Sequence, residues 1–152
     1  MGSKRKKTLD ISPQHVKLVM TASDKEGVIK ELLDILSSAG LLTDRGAAEQ
    51  VIFEREASMS TGMENGVAIP HGKTDTVDSL LVAVGLHAKG VDFDAVDGQL
   101  SRIFILTLSP ASKSGPHIRF LAQVSRLLRT PEIRSRLLAA QSEEEVSAIL
   151  TP

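Results

Sequence analysis

The chain reads as an α/β protein with one central sheet covered by helices on both faces. Three observations predict this. Stretches with apolar residues at helical spacing alternate with short apolar runs rich in β-branched residues. Those runs are nearly unbroken, which suits strands buried on both sides. No linker, repeat or shift in composition divides the 152 residues. The expectation is therefore one domain over residues 10–152 behind a short tail.

The elements follow in order. Lys4, Arg5, Lys6 and Lys7 form a basic block, and residues 1–9 read as a solvated, disordered tail. Val16 to Met20 reads as a first strand or as an extended piece ahead of a helix. Ser23-Asp24-Lys25-Glu26 has the capping-box pattern, with Ser23 as N-cap and Glu26 at N3. Val28, Ile29, Leu32, Leu33 and Leu36 then recur at helical spacing, and Gly40 is a suitable stop. Thr43-Asp44 opens a second helix that runs to Ala57. Residues 58–66 read as loop and Val67–Ile69 as a short strand. Leu80–Leu86 and Arg102–Leu108 read as buried strands. Between them, Phe93–Val96 reads as extended before an Asp97-Gly98 turn. A Ser/Gly/Pro loop from Ser109 to Pro116 leads into a helix over His117–Leu128. Thr130-Pro131 starts the next helix, with Thr130 as N-cap and proline at N1. Ser142-Glu143-Glu144-Glu145 is a second capping box, and its helix runs to Leu150.

Composition narrows the function. The aromatics are four Phe, with no Tyr or Trp, so the core is aliphatic and stacking on nucleic-acid bases has no platform. Without the four tail charges, 14 of the 18 basic residues face 19 acidic ones. That body is mildly acidic and is not a nucleic-acid footprint. The absence of cysteine excludes a disulfide framework, a zinc–thiolate site and a thiol nucleophile. No apolar run is long enough to span a bilayer and no signal-peptide pattern is present. A soluble cytoplasmic protein, without direct membrane insertion, is expected.

The informative stretch is Glu54 to Thr74. It ends its apolar run on Pro70-His71-Gly72, a histidine presented between a residue of fixed φ and one of free φ. Of the other histidines, His15 reads as exposed and His87 as a hydrogen-bonded structural residue. His117, like His71, follows a proline beside a loop that comes after a strand. Sites in α/β sheets gather at such strand ends. A metal site is not expected, because there is no His-Glu-x-x-His and no clustered third ligand. No Gly-x-Ser-x-Gly elbow supports a serine hydrolase. Gly72-Lys73-Thr74 imitates the end of a P-loop, but Val67 stands where that motif needs glycine.

Phosphoryl transfer through histidine fits these residues. Neutral imidazole is a good nucleophile near pH 7. Fixed donors can carry the charge of the transferring group without a metal or other cofactor. Arg55 offers a guanidinium fork to phosphate oxygens. His117 offers a ring nitrogen at a helix start, where an anion is favoured. Ser60, Thr61 and the Gly72 amide are further candidate phosphate donors.

With these residues in view, the chain resembles the type 2 (fructose/mannitol/nitrogen-regulatory) EIIA domains of the phosphoenolpyruvate-dependent phosphotransferase system. Arg55-Glu56, Ser60-Thr61-Gly62, Asn65-Gly66-Val67-Ala68-Ile69-Pro70-His71-Gly72-Lys73 and His117 with Leu121-Ala122 carry the likeness, which extends over residues 10–150. The resemblance implies a mixed sheet with helices on both faces. It implies that His71 is phosphorylated on Nε2 by an HPr-like phosphocarrier and passes the group to a cysteine of an EIIB-like partner. It assigns assisting roles to His117 and Arg55. Many sugar-transporting members read Pro-His-Ala where this chain reads Pro-His-Gly. The segment Arg136–Glu145 is similar to the nitrogen-regulatory branch, which implies an alternative: a free-standing phosphoprotein that acts on regulatory partners. Met63-Glu64 and Pro116 depart from the family pattern, and Glu64 would bring negative charge near the phosphate.

Overall fold

The structure, a computed structural model, describes residues 11–151; the basic segment expected over residues 1–9 lies outside them. The strands are β1 (Val16–Lys17), β2 (Val67–Ala68), β3 (His71–Lys73), β4 (Leu81–Val91) and β5 (Ser101–Ser109). The helices are α1 (Lys25–Ser38), α2 (Arg45–Ser58), α3 (Ser114–Leu128), α4 (Pro131–Ala139) and α5 (Glu143–Leu150).

The strands form one sheet in the order β1-β4-β5-β2, and β3 continues along the same side of β5. β4 and β5 run antiparallel at its centre. β1 lies parallel to β4, and both β2 and β3 lie parallel to β5. The mixed sheet expected from the resemblance is present.

Period-two alternation assigns the two faces. Val82, Val84, Leu86, Ile103 and Ile105 turn to one side and pack with Phe120 and Val124 of α3, Leu137 of α4 and Val146 of α5. Ala83, Phe104, Leu106 and Leu108 turn to the other and pack with α1 and α2 through Leu32, Leu33, Leu36, Ala48 and Ile52. Both faces of the long strands are buried, which is why their sequences read as nearly unbroken apolar runs. Each fully buried Leu, Ile or Phe contributes roughly 1.5–3 kcal/mol.

Local differences from the expected elements have physical causes. Asp24, not Ser23, caps α1, because its carboxylate reaches the Gly27 N–H at 2.7 Å. Asp44 and Ser142 cap α2 and α5 in the same way. α3 begins at Ser114 rather than His117. Pro116 is tolerated there because first-turn N–H groups have no helical acceptor. β4 extends past Leu86 to Val91 through a register irregularity. Phe93–Val96 is not a strand: Asp94 turns to φ 52°, and Phe93 is fully buried on the α1–α2 side. The Asp97-Gly98 turn is present, with Gly98 at φ 72°.

His87 is paired as expected, donating from Nε2 to Ala22 O at 2.8 Å and accepting at Nδ1 from the Gly90 N–H at 3.0 Å. His15, expected exposed, is half-buried. β3, which the sequence pattern did not announce, lies directly against α2. A Cβ on Gly72 would stand 2.8 Å from Val51 Cγ2 and 3.2 Å from the Ile52 backbone nitrogen. Only glycine permits that approach.

Candidate functional site

Strand register builds the site. Residues paired across a ladder leave the sheet on the same face. His71 pairs with Thr107, and Thr107 follows Ile103 and Ile105 on the α3 side. His71 therefore projects towards α3 while Gly72 turns to α2. His117 closes the first turn of α3 and meets His71 there. The imidazole centroids are 5.7 Å apart, edge to face at 83°.

Each ring is held by one hydrogen bond. His71 Nδ1 lies 2.9 Å from the Ile69 carbonyl. A carbonyl only accepts, so Nδ1 carries the proton and the neutral ring keeps a lone pair at Nε2. His71 is half-buried, unlike the fully buried His117. His117 is only 1% exposed. Its Nε2 meets Thr107 Oγ1 at 2.7 Å, and its Nδ1 is buried without a partner. Burial, and then the positive charges of His71 and Lys73, push the His117 pKa down to about 4. At neutral pH this ring is uncharged.

That depression is also a stability statement. The unfolded chain binds a proton at His117 near pH 6.5, whereas the fold resists it until about pH 4. The contribution is complete above pH 6.5 and is lost as pH falls from there towards 4, up to roughly 3 kcal/mol. His15 is lowered by burial in the same direction. Urea midpoints measured at pH 7.5 and pH 4.5 should fall steeply for wild type and less for His117→Gln; equal declines would remove His117 as the cause.

The other expected site residues divide. Arg55 lies in the last turn of α2, where its Nη1 donates to the Met59 carbonyl at 2.7 Å. It makes no hydrogen bond to either imidazole among the described residues. Ser60 and Thr61 are not free donors, because their protons are committed within the protein. Ser60 Oγ donates to Phe93 O at 2.6 Å, and Thr61 Oγ1 donates to Glu56 Oε1 at 2.5 Å. The Gly72 amide is also committed. Thr107 N donates to Pro70 O and Thr74 N to Ser109 O, an alternation that turns Gly72 N–H towards β5. The same alternation leaves the His71 N–H facing away from β5.

Two residues were missed. Thr107 holds His117, and Lys73 stands two residues from His71 on the same face of β3. The signal for Thr107 was a hydroxyl inside an otherwise apolar strand, and for Lys73 the alternation from His71. Glu64 lines a largely apolar cleft of about 220 Å³ with Arg129, Met63 and Ile69.

Residues 11–152 match the family model described as "Phosphoenolpyruvate-dependent sugar phosphotransferase system, EIIA 2". The fold and this match define a component of a phosphoryl-transfer system; the chain belongs to the EIIA type 2 family. The fructose-specific EIIA component of Haloferax volcanii is 40% identical over 126 residues, 83% of this chain and 82% of that protein. The fructose-specific EIIABC component of Bacillus subtilis is 37% identical over 135 residues, 89% of this chain. The chain spans only 21% of that longer relative. The crystal structure of nitrogen regulatory protein IIA-Ntr from Neisseria meningitidis superposes with a TM-score of 0.87 at 30% identity, covering 93% of this chain and 97% of that one. No helix among the described residues is long and apolar enough to cross a membrane.

Proposed function

We propose that residues 10–152 act as a single cytoplasmic phosphoryl-carrier domain that accepts phosphate on His71 Nε2 from an HPr-like phosphocarrier and passes it to an EIIB-like cysteine. The observation that carries this reading is the fixed tautomer of His71. Its Nδ1–H is tied to Ile69 O, so the lone pair lies on Nε2 of a half-buried ring. In the first step that lone pair attacks phosphorus and the donor's P–N bond breaks, its electron pair returning to the donor imidazole. In the second step a cysteine thiolate attacks the same phosphorus and His71 Nε2 recovers its pair. Lys73 and the buried His117 supply the charge and donor beside His71; the assisting role that the family likeness gives Arg55 is carried by its position at the end of α2. Ser60, Thr61 and Gly72 act through the backbone scaffold rather than on the phosphate.

The test is direct. Wild-type protein incubated with phosphoenolpyruvate, enzyme I and HPr should gain an acid-labile, base-stable phosphate. No such label under conditions that phosphorylate HPr sinks the reading.

The likeness to the Neisseria nitrogen regulatory protein favours a second use of the same site. Phosphorylation adds close to two negative charges beside His117 and would alter the docking face for a regulatory partner. Capture experiments with phosphorylated and unphosphorylated protein should recover different partners; identical sets count against it.

A further inference from the structure

One buried carboxylate stands outside the chemistry above. Glu56 lies near the end of α2, beside Arg55, and is 7% exposed. Both of its oxygens are occupied. Oε2 accepts from Lys25 Nζ and from the Thr61 N–H, each at 2.9 Å, and Oε1 accepts from Thr61 Oγ1 at 2.5 Å. Lys25 reaches in from the first residue of α1. It also pairs with Asp94 at 2.9 Å and sits 5.0 Å above the centre of the Phe93 ring. Burial disfavours its charge, but hydrogen bonds to Asp94 and Glu56 outweigh that and raise its pKa.

A largely buried ion pair is a weak source of stability, because desolvation offsets the attraction. What it fixes is more informative. The Thr61 carbonyl accepts the Ile69 N–H at 3.1 Å. The Ile69 carbonyl accepts the His71 Nδ1–H at 2.9 Å. An unbroken series of hydrogen-bonded groups thus leads from the Glu56 carboxylate, through Thr61 and Ile69, to the reactive imidazole. Burial of the Ile69 side chain and the Thr107 N–H donated to Pro70 O at 3.0 Å hold the same segment from the sheet side, and Thr61 holds it from the α2 side.

We propose that Glu56, with Lys25 as its counter-charge, is a positioning residue for His71: it anchors Thr61, and Thr61 aims the Ile69 carbonyl that holds the Nδ1–H tautomer. The inference rests on the reading of His71 as the phosphoryl acceptor. A free imidazole distributes its proton over both nitrogens. In the Nε2–H form the lone pair lies on Nδ1, turned towards the backbone, and cannot attack. Hydrogen-bonded partners that fix a functional histidine's tautomer are familiar from metal sites, where their loss costs about 10–100-fold.

The experiment combines two readouts on the intact chain: the imidazole ¹⁵N signals of His71, which report the tautomer, and the initial rate of phosphoryl uptake from phosphorylated HPr. Glu56→Gln keeps the side-chain shape but sets an amide against the Lys25 ammonium. It should give a mixed-tautomer spectrum and slow uptake at least tenfold, with little change in KM for HPr. Thr61→Val keeps the N–H and loses the hydroxyl; it should shift both readouts in the same direction by a smaller factor, and it decides the matter if Glu56→Gln does not fold. Val146→Ala, a cavity in the buried core of α5, should lower stability and move neither readout. A wild-type tautomer spectrum and rate in the folded Glu56 or Thr61 variant overturns the proposal while leaving His71 as acceptor. A wild-type protein that takes up no phosphate overturns the acceptor reading itself, and the positioning role with it.

Discussion

His71→Ala should take up no phosphate from phosphoenolpyruvate through enzyme I and HPr, while wild type labels to completion. The expected loss is total within detection, because the substitution removes the only group with a free lone pair on the less buried side of the imidazole pair. His117 cannot substitute for it. That ring is 1% exposed, its Nε2 is bonded to Thr107, and its Nδ1 is buried. The fold should survive, because His71 is half-exposed and its one hydrogen bond goes to a carbonyl on the same strand edge. Unchanged circular dichroism with absent label is therefore the anticipated pair of results. Label retained on His71→Ala would move the acceptor elsewhere.

His117→Ala should accept phosphate to the same final extent but pass it on about a hundredfold more slowly, the usual scale for losing one positioned acid or electrostatic donor. The nucleophile is intact, so acceptance still runs to its end point. Onward transfer is expected to suffer because the His117 ring is buried and lies against His71 with centroids 5.7 Å apart, where a donor is worth more than in water. A phosphoryl dianion on His71 also reverses the local field. Burial is the largest cause of the low His117 pKa and the neighbouring positive charges the smaller one; a negative phosphate opposes only the second, so it moves the pKa upward from about 4. Rapid-quench transfer to an EIIB cysteine separates the two quantities, extent and rate. Wild-type onward transfer by His117→Ala would remove His117 from the mechanism.

The legibility of the molecule followed the range of its interactions. His71 was conspicuous because its neighbours Pro70 and Gly72 are local signals. The helices announced themselves through spacing, and their caps were misplaced only within a residue, as when Asp24 reached Gly27 in place of Ser23. The α/β class followed from apolar runs in β4 and β5, which read the same whether alone or paired. What stayed hidden depended on pairing between distant segments. Thr107 becomes a site residue only because β3 aligns His71 beside it. Ser60 and Thr61 looked like phosphate donors because hydroxyls in a glycine-containing loop usually have free protons. Phe93 O and Glu56 take those protons, and neither acceptor is marked by local sequence. The early start of α3 was masked by Gly115-Pro116, a loop signal that a helix's first turn also accommodates.

The arrangement of strand lengths has a consequence of another kind. The two long strands, β4 and β5, are both interior, and the margins of the sheet are fragments of two or three residues. On the β5 side the margin is split at Ile69-Pro70, and the Gly62–Ala68 bridge occupies part of what remains. Among the described residues, a second molecule seeking to extend the sheet would meet only these short edge fragments on either side. Among the described residues, the sheet margin that carries His71 is thereby a poor template for strand-to-strand pairing.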